Sequence, residues 1–558
     1  MTVPEDGEPV TRTGRGAMVA SATTEATAAA GAILKAGGNA SDAAAACLLM
    51  LCVTRIGATC LGGEAPAIVF EQKDGAVSTL SGVGRAPLDP ATVEHYRRST
   101  FPEGDIRHAA VPAIVDLCVT LLSRFGSLSF AEISKPVIET LNAGRPTWYF
   151  DTVIHAPIDA ATGKAVDKDH PDTNPSKRLW WRDLACTLGT LVDSERRQVG
   201  NRQRKLSAVS DCFYRGEIAD KLCAWYDKSG GILSAADLDA HRTTIEAPVV
   251  GEFAGYDIVK CSTWTQGPAL LQILKLLEQV DLPASRERPE AYFHLVIEAI
   301  KLGLADCLCH YGDPQHVDVP LERLLSVEYA RVRATLIDPH SVLLPQPGDP
   351  INLKALGAQP MSPSPVDQST TTCVVRDSIG NMVVITPSGC GSTAGSGGDT
   401  GITHGNRLTA SSFEAGHPNV IAPGKRPMIT PSPTLVLGKG QPVLALSVVG
   451  GELQEQVAAQ VIIQYVIESL AGQQHTADLL ERYHLRNMAT ISRLYGSKSQ
   501  SLVTLPPNLP ECITALRSLG HRIHANSMSI DKVQGSMIWM DASGDIHGHG
   551  RAVYSDHG

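Results

Sequence analysis

The feature that most constrains this 558-residue chain is a junction about two-thirds of the way along it. From Asp338 to about Gln368 the sequence is rich in Pro, Gly and polar residues, ending in LPQPGDPINLKALGAQPMSPSPVDQ, the composition of an extended connector. It runs into Ser369-Thr370-Thr371-Thr372. The β-branched stretch Thr370–Val375 reads as a strand, Asp377–Asn381 as a turn and Met382–Thr386 as a second strand. Helical patterns dominate before the junction and strand patterns follow it. A hydroxyl cluster therefore heads a buried strand, where a chain end cut at that point would be held rigidly beside its own side-chain hydroxyl.

Hydrophobic residues make up 43% and charged residues 19%, so a chain of this length can bury a large core without disulfides or metals. The formal net charge of −10 argues against a nucleic-acid surface, which needs a concentrated basic face. The one basic run, Arg196-Arg197 through Arg202, Arg204 and Lys205, lacks interleaved aromatics and reads as a solvated loop. Thirteen cysteines, an odd number without framework spacing, fit a reducing compartment. The start, MTVPEDGEPVTRTG, has no apolar core of a secretory signal, and no apolar run is long enough for a membrane span. The expectation is a cytoplasmic protein.

Met1 to about Gly16 reads as disordered. Thr24–Lys35 reads as a helix stopped at Gly37-Gly38, and Ser41-Asp42 can cap a second one reaching about Cys52. Gly62-Gly63 reads as a turn, after which Ala67–Phe70 and Ala76–Leu80 flank Lys73-Asp74-Gly75 as a hairpin. Helical periodicity covers His108 to about Ala143, Ile218–Lys228, Pro268–Gln279, Ala291–Cys309 and Gln454–Leu470, whereas Phe150–Ser210 reads as polar and irregular. Further strands are expected at Thr434–Leu437 and Val443–Ser447.

A threonine hydroxyl is a weak nucleophile that needs an adjacent base. The α-amine of the same residue, freed by cutting the preceding bond, has an ordinary pKa near 7.7–8.0 and serves as that base near neutral pH. The oxyanion then needs fixed donors, which Gly450-Gly451, at a sharp turn after LALSVV, could offer. Hydroxyl clusters at strand starts are usually structural, and neither composition nor periodicity singles out a catalytic one.

A resemblance does. The chain is similar to the γ-glutamyltransferase family over nearly its whole length. In the first half the similarity is carried by AGAILKAGGNASDAAAA (Ala30–Ala46), CLGGEAPAIVF (Cys60–Phe70), SGVGRAP (Ser81–Pro87), GGILSAADLDAHR (Gly230–Arg242) and HLVIEAIKLGLADCLCHYGDP (His294–Pro314). In the second half it is carried by GNMVVITPSG (Gly380–Gly389), APGKRPMITPSPTLVL (Ala422–Leu437) and VVGG (Val448–Gly451). The resemblance implies an α+β fold, a four-layer αββα sandwich of the N-terminal-nucleophile hydrolase type. One precursor would give a large fragment, residues 17–369, and a small one, residues 370–558, that stay intertwined, and the processed unit could pair as a dimer. Ungapped counting back from Gly380-Asn381 places the nucleophile on Thr370 and the cut between Ser369 and Thr370. A one-residue gap in the Arg376–Ile379 turn selects Ser369 instead. Ser388 falls on the family's second hydroxyl, and Gly450 and Gly451 fall on its oxyanion glycines. No cofactor or metal is implied.

The substrate-reading positions differ from the family pattern. The family's carboxylate-binding arginine falls on Val83, with Arg85 two residues along. Its aspartate pair becomes Ser411-Ser412, its asparagine Cys390, and its paired serines Ile429 and Thr430. Losing a cation and an anion removes two charge-assisted contacts worth roughly 1.5–3 kcal/mol each. The expected small-molecule substrate is therefore an amide or related carbonyl compound other than glutathione, with water as acceptor. Alternatives are a biosynthetic homologue that hydrolyses a C–C bond next to a ketone, and an uncleaved homologue acting as a binding protein. Trp264 and Gln266, in CSTWTQGP, read either as pocket residues or as a structural turn.

Other signals are set aside. GCGSTAGSGG (Gly389–Gly398) follows a strand but starts no helix, and reads as a loop over the pocket rather than a dinucleotide site. Cys307 and Cys309 point to different sides of a helix and read as packed core with His310 beside them. His547-Gly548-His549 reads as surface loop, and Glu298 with Lys301 as a structural ion pair.

Overall fold

The computed structural model describes residues 9–102, 104–144, 180–282, 287–356, 370–389, 397–472, 490–491, 502–505, 507–526 and 535–556. Two sheets lie at its centre. The first runs, edge to edge, Val10–Gly14, Ile546–Gly550, Ser536–Met540, Gln441–Ser447, Thr434–Gly438, Tyr256–Lys260 and Val249–Phe253. The second runs Ala552–Ser555, Met18–Ser21, Cys373–Arg376, Met382–Ile385, Thr59–Glu71, Ala76–Gly82 and Thr244–Glu246, with the short strand Ser388–Gly389 also pairing Thr59–Glu71.

The alternation of side chains along each strand makes these sheets the middle of a layered body. Met18, Ala20, Ile68, Phe70, Val374 and Val384 of the second sheet pack against Val259, Leu435, Leu437, Ala445 and Ile538 of the first. Their neighbours Val19, Ala67, Val69, Val375 and Val383 point the other way, into a core shared with helices such as Thr24–Lys35, Ala40–Thr54 and Ile114–Phe125. On the far side, Ile258, Val436, Leu444, Leu446 and Trp539 meet helices Pro268–Leu277, Pro289–His310 and Leu453–Leu470. Every residue of Ala40–Thr54 is buried, as a helix with no polar face requires.

The elements read from the sequence are largely present, with physical reasons where they differ. Val10–Gly14 is an edge strand paired with Ile546–Gly550 rather than a disordered tail; its exposed VTRT stretch shows no apolar alternation. Asn39, not Ser41 or Asp42, caps the second helix, and Asp42 closes the capping box from within it. Gly62 and Gly63 lie inside a long strand rather than at a turn. The region read as irregular contains helices Trp180–Arg197 and Arg202–Tyr214, so the basic run spans one helix end and the next helix start. Arg202 there donates to the carbonyls of Leu122 and Leu128 and is not simply solvated. Within the connector, Gly348–Asp349 pairs with Lys354–Ala355, while residues 357–369 lie outside the described set. His547 and His549 are buried in a strand, hydrogen-bonded to Thr13 and Thr11, not on a surface loop. Glu298 and Lys301 form the expected ion pair at 2.7 Å, deeply buried.

Candidate active site

The hairpin after the junction places the first hydroxyl cluster. Cys373–Arg376 pairs antiparallel with Met382–Ile385, and prolonging that register sets Thr370 in a bridge opposite Ser388. Thr371 N–H donates to the Pro387 carbonyl at 2.9 Å. Thr370 is 1% exposed, and its Oγ1 lies 3.5 Å from Ser388 Oγ. The neighbouring hydroxyls sew the two sheets together at this end: Thr372 with Ser536 at 2.7 Å and Thr386 with Ser447 at 2.9 Å.

The second tie fixes where the other half of the site emerges. Three residues beyond Ser447 the chain turns at Gly450 and Gly451, with φ of +119° and +58°. An L side chain rarely adopts the first of these conformations, so the turn depends on glycine. The Gly450 and Gly451 carbonyls accept from Leu453 N–H and Gln454 N–H and begin helix Leu453–Leu470. Among the described residues no hydrogen bond takes up either glycine N–H. The turn thus leaves two N–H groups at a helix entrance.

The family model for gamma-glutamyltranspeptidase matches residues 26–552. The chain belongs to that family. It is 28% identical over 461 residues to a glutathione hydrolase-like YwrD proenzyme of Bacillus subtilis, covering 79% of this chain and 80% of the relative. It is 27% identical to the acylase ACY 1 proenzyme of Pseudomonas sp. (strain V22), covering 83% and 81%. In structure it is similar to the cephalosporin acylase from Bacillus halodurans, with a TM-score of 0.79, 25% identity, and 100% and 99% of the two chains covered. This is thus a γ-glutamyltranspeptidase-family hydrolase or transpeptidase, distant from the glutathione hydrolases and acylases alike.

The substrate-side residues fall into separate groups. Ile429 is fully buried in the core between the sheets, and its backbone pairs with the loop carrying Trp264 and Gln266. Trp264 belongs to the same core; its indole N–H donates to Glu246 at 2.7 Å and the Arg426 guanidinium lies over its ring. Of the two readings of this loop, Trp264 takes the structural one. Gln266 instead reaches the Gly450-Gly451 turn, Nε2 donating to the Gly451 carbonyl at 2.9 Å. Thr430 Oγ1 is buried and has no hydrogen-bond partner among the described residues. Val83 is buried in the core. Arg85 donates to the Gly424 carbonyl and to Gln315, and burial together with nearby Arg426 lowers its pKa. Ser412 is held by backbone bonds to Asn419 and Ile421, its hydroxyl accepting from Glu414 N–H, and half-buried Ser411 ends the turn Arg407–Ala410. Ser369 and Cys390, with most of Gly389–Gly398, lie outside the described residues.

Sequence reading missed the charged pair beside Thr370 and Ser388. Arg407 donates to Ser388 Oγ at 2.8 Å and through Nε to Glu64 at 2.5 Å, and both ionic side chains are buried. A usable signal existed: Glu64 is a lone carboxylate in the apolar strand CLGGEAPAIVF, and a buried charge requires a partner. The imidazole of His404, next to this strand through its bridge to Gly62, is bonded to Tyr226 at 2.6 Å, and burial lowers its pKa to about 4. It is neutral at pH 7. Elsewhere, His294, Glu298 and His521 place possible metal-ligand atoms within 4.8 Å of one another. Lys301 already occupies that carboxylate, and the two imidazoles are hydrogen-bonded to each other at 2.8 Å.

Proposed function

We propose that the chain is a self-cleaving N-terminal-nucleophile hydrolase whose nucleophile is Thr370, acting on an amide other than a γ-glutamyl one, with water as acceptor. The observation that carries this reading is Thr370 itself: a buried hydroxyl at the head of a central strand, facing Ser388, at the end of the connector. In maturation Thr370 Oγ1 adds to the carbonyl carbon of residue 369. The C–N bond then breaks, its nitrogen takes the proton as the Thr370 α-amine, and water hydrolyses the resulting ester to a carboxylate and a free hydroxyl. In turnover the freed α-amine takes the hydroxyl proton, Thr370 attacks the substrate carbonyl, and the Gly450 and Gly451 N–H groups receive the oxyanion. The amine of the substrate leaves with a proton, and water releases the acyl group.

Replacement of the family's charged recognition residues by Val83, Ser411 and Ser412 supports a substrate without the α-amine and α-carboxylate of a γ-glutamyl group. The proenzyme names of the relatives, one of them an acylase, support both maturation and an acyl substrate. On a denaturing gel the mature protein should run as two bands of about 39 and about 20 kDa, apportioning 59.3 kDa over 369 and 189 of 558 residues. Thr370→Ala should give one band and no turnover; two bands from that variant would sink the reading. A panel of acyl anilides then tests the pocket, and vigorous turnover of the γ-glutamyl anilide would refute the substrate class.

A further inference from the structure

We infer that Arg407 is a positioning residue for this reaction: held by Glu64, it fixes the Ser388 hydroxyl so that Ser388 donates a hydrogen bond to Thr370 Oγ1 as that oxygen sheds its proton. The inference rests on Thr370 being the nucleophile.

The geometry is specific. Ser388 and Glu64 are cross-strand partners, so carboxylate and hydroxyl are set side by side by backbone pairing. Arg407 arrives from a different segment, and the approach is made possible by missing side chains. A Cβ on Gly62 would overlap the Thr403 carbonyl, one on Gly63 the Ser388 carbonyl, and one on Gly405 the Gly389 carbonyl. Arg407 then bonds Glu64 through Nε and the adjacent Nη2, and the same Nη2 donates to Ser388 Oγ at 2.8 Å. A guanidinium so clamped is a planar fork with little freedom to turn.

The direction of the proton follows from what each group can do. Arginine only donates, so Ser388 Oγ must accept at that contact and keeps its own proton for another oxygen. At rest Thr370 Oγ1 donates to Ser388 at 3.5 Å, the long limit of a hydrogen bond. When the Thr370 proton leaves, its oxygen becomes a strong acceptor and the bond reverses, Ser388 donating to it. The cation behind Ser388 polarises its O–H in the required sense. The same bond steadies the Thr370 oxygen when it departs from the acyl group. Glu64 balances the charge, so the site gains direction without an uncompensated ion.

The test uses the chain as its own substrate. Full-length protein is made by cell-free translation, and the first-order appearance of the two fragments is followed on gels. Removing a charge-assisted hydrogen bond of this kind should slow the step about ten- to hundredfold. Arg407→Met and Ser388→Ala should each slow cleavage by that order, and the two together no more than the slower single variant, because both act through one proton. Arg407→Met strands Glu64, so the pair Glu64→Gln/Arg407→Met, which removes both charges, separates positioning from folding. It should melt near the wild type and still cleave slowly. Should it melt early, Arg407→Lys is read in its place: it keeps a cation against Glu64 without the planar fork, and its cleavage should slow as well. Cleavage within about twofold of wild type in the variant so read, or independent multiplication of the Ser388 and Arg407 effects, overturns the inference. Thr370→Ala cleaving at the wild-type rate would instead condemn the nucleophile assignment, which an inert Thr370→Ala leaves standing whatever Arg407 does.

Discussion

Lys260→Met is the perturbation whose outcome the structure fixes most closely. Lys260 and Glu455 are both fully buried, with Nζ 3.0 Å from Oε2, and Nζ also donates to Thr434 Oγ1 at 2.7 Å and the Ser432 carbonyl at 3.2 Å. Burial pulls the Lys260 pKa down and pushes the Glu455 pKa up, each opposed by the other's charge. Methionine keeps the volume and strands the carboxylate, a loss of about 3–5 kcal/mol if Glu455 stays ionised. Glu455 has an escape, which is to take up a proton. From an ordinary glutamate pKa near 4.3, that costs about 3.7 kcal/mol at pH 7 and only about 1 kcal/mol at pH 5. The folded pKa in the variant lies above the unfolded one, so stability is present at low pH and lost as pH rises. The gap to wild type should therefore widen by about 1.4 kcal/mol per pH unit between pH 5 and 7. Denaturation midpoints at pH 5, 6 and 7 measure it, and Lys260→Met/Glu455→Gln should recover most of the loss at pH 7. A gap that is constant, or larger at pH 5, would refute the reasoning.

Two further outcomes follow from the same geometry. Gly450→Ala forces a side chain into φ near +119° and re-aims the proposed oxyanion donor, so cleavage and turnover should fall about 10²-fold or more, read from a gel time course and an anilide assay. His404, with a folded pKa of about 4 against roughly 6.5 unfolded, contributes stability that is present above pH 6.5 and lost as pH falls toward 4. Acid titration of stability should show that limb, and His404→Gln should flatten it by about 1.4 kcal/mol per unit; an unchanged slope would count against it.

The sequence showed what local patterns carry. The hairpin at Lys73-Asp74-Gly75 and the helix starting at Thr24 are written in adjacent residues and are present. Helix Trp180–Arg197 was missed although its buried Trp180, Leu184, Leu188, Leu191 and Val192 recur at helical spacing, because the polar stretch around it was read together with it. The buried histidines of Ile546–Gly550 look like surface until the threonines of Val10–Gly14 are laid beside them, 534 to 538 residues away in sequence. The site behaves likewise. Thr370, Ser388 and the two glycines are proposed as site residues through resemblance, and the structure sets Thr370 opposite Ser388. The contact between Arg407 and Glu64 spans 343 residues, and only the unexplained charge in an apolar strand hinted that a partner was needed.

The interleaving of strands has a consequence for any scission before Thr370. In one sheet Met18–Ser21 lies between Ala552–Ser555 and Cys373–Arg376, and in the other Val10–Gly14 joins Ile546–Gly550 while Thr434–Gly438 joins Tyr256–Lys260. Segments from either side of the break are thus plaited through both layers, and dilution alone offers them no route apart. Separating them would mean unzipping ladders in both sheets at once, exposing raw edges that invite aggregation. A gene divided at that codon should accordingly yield insoluble halves when each is made alone.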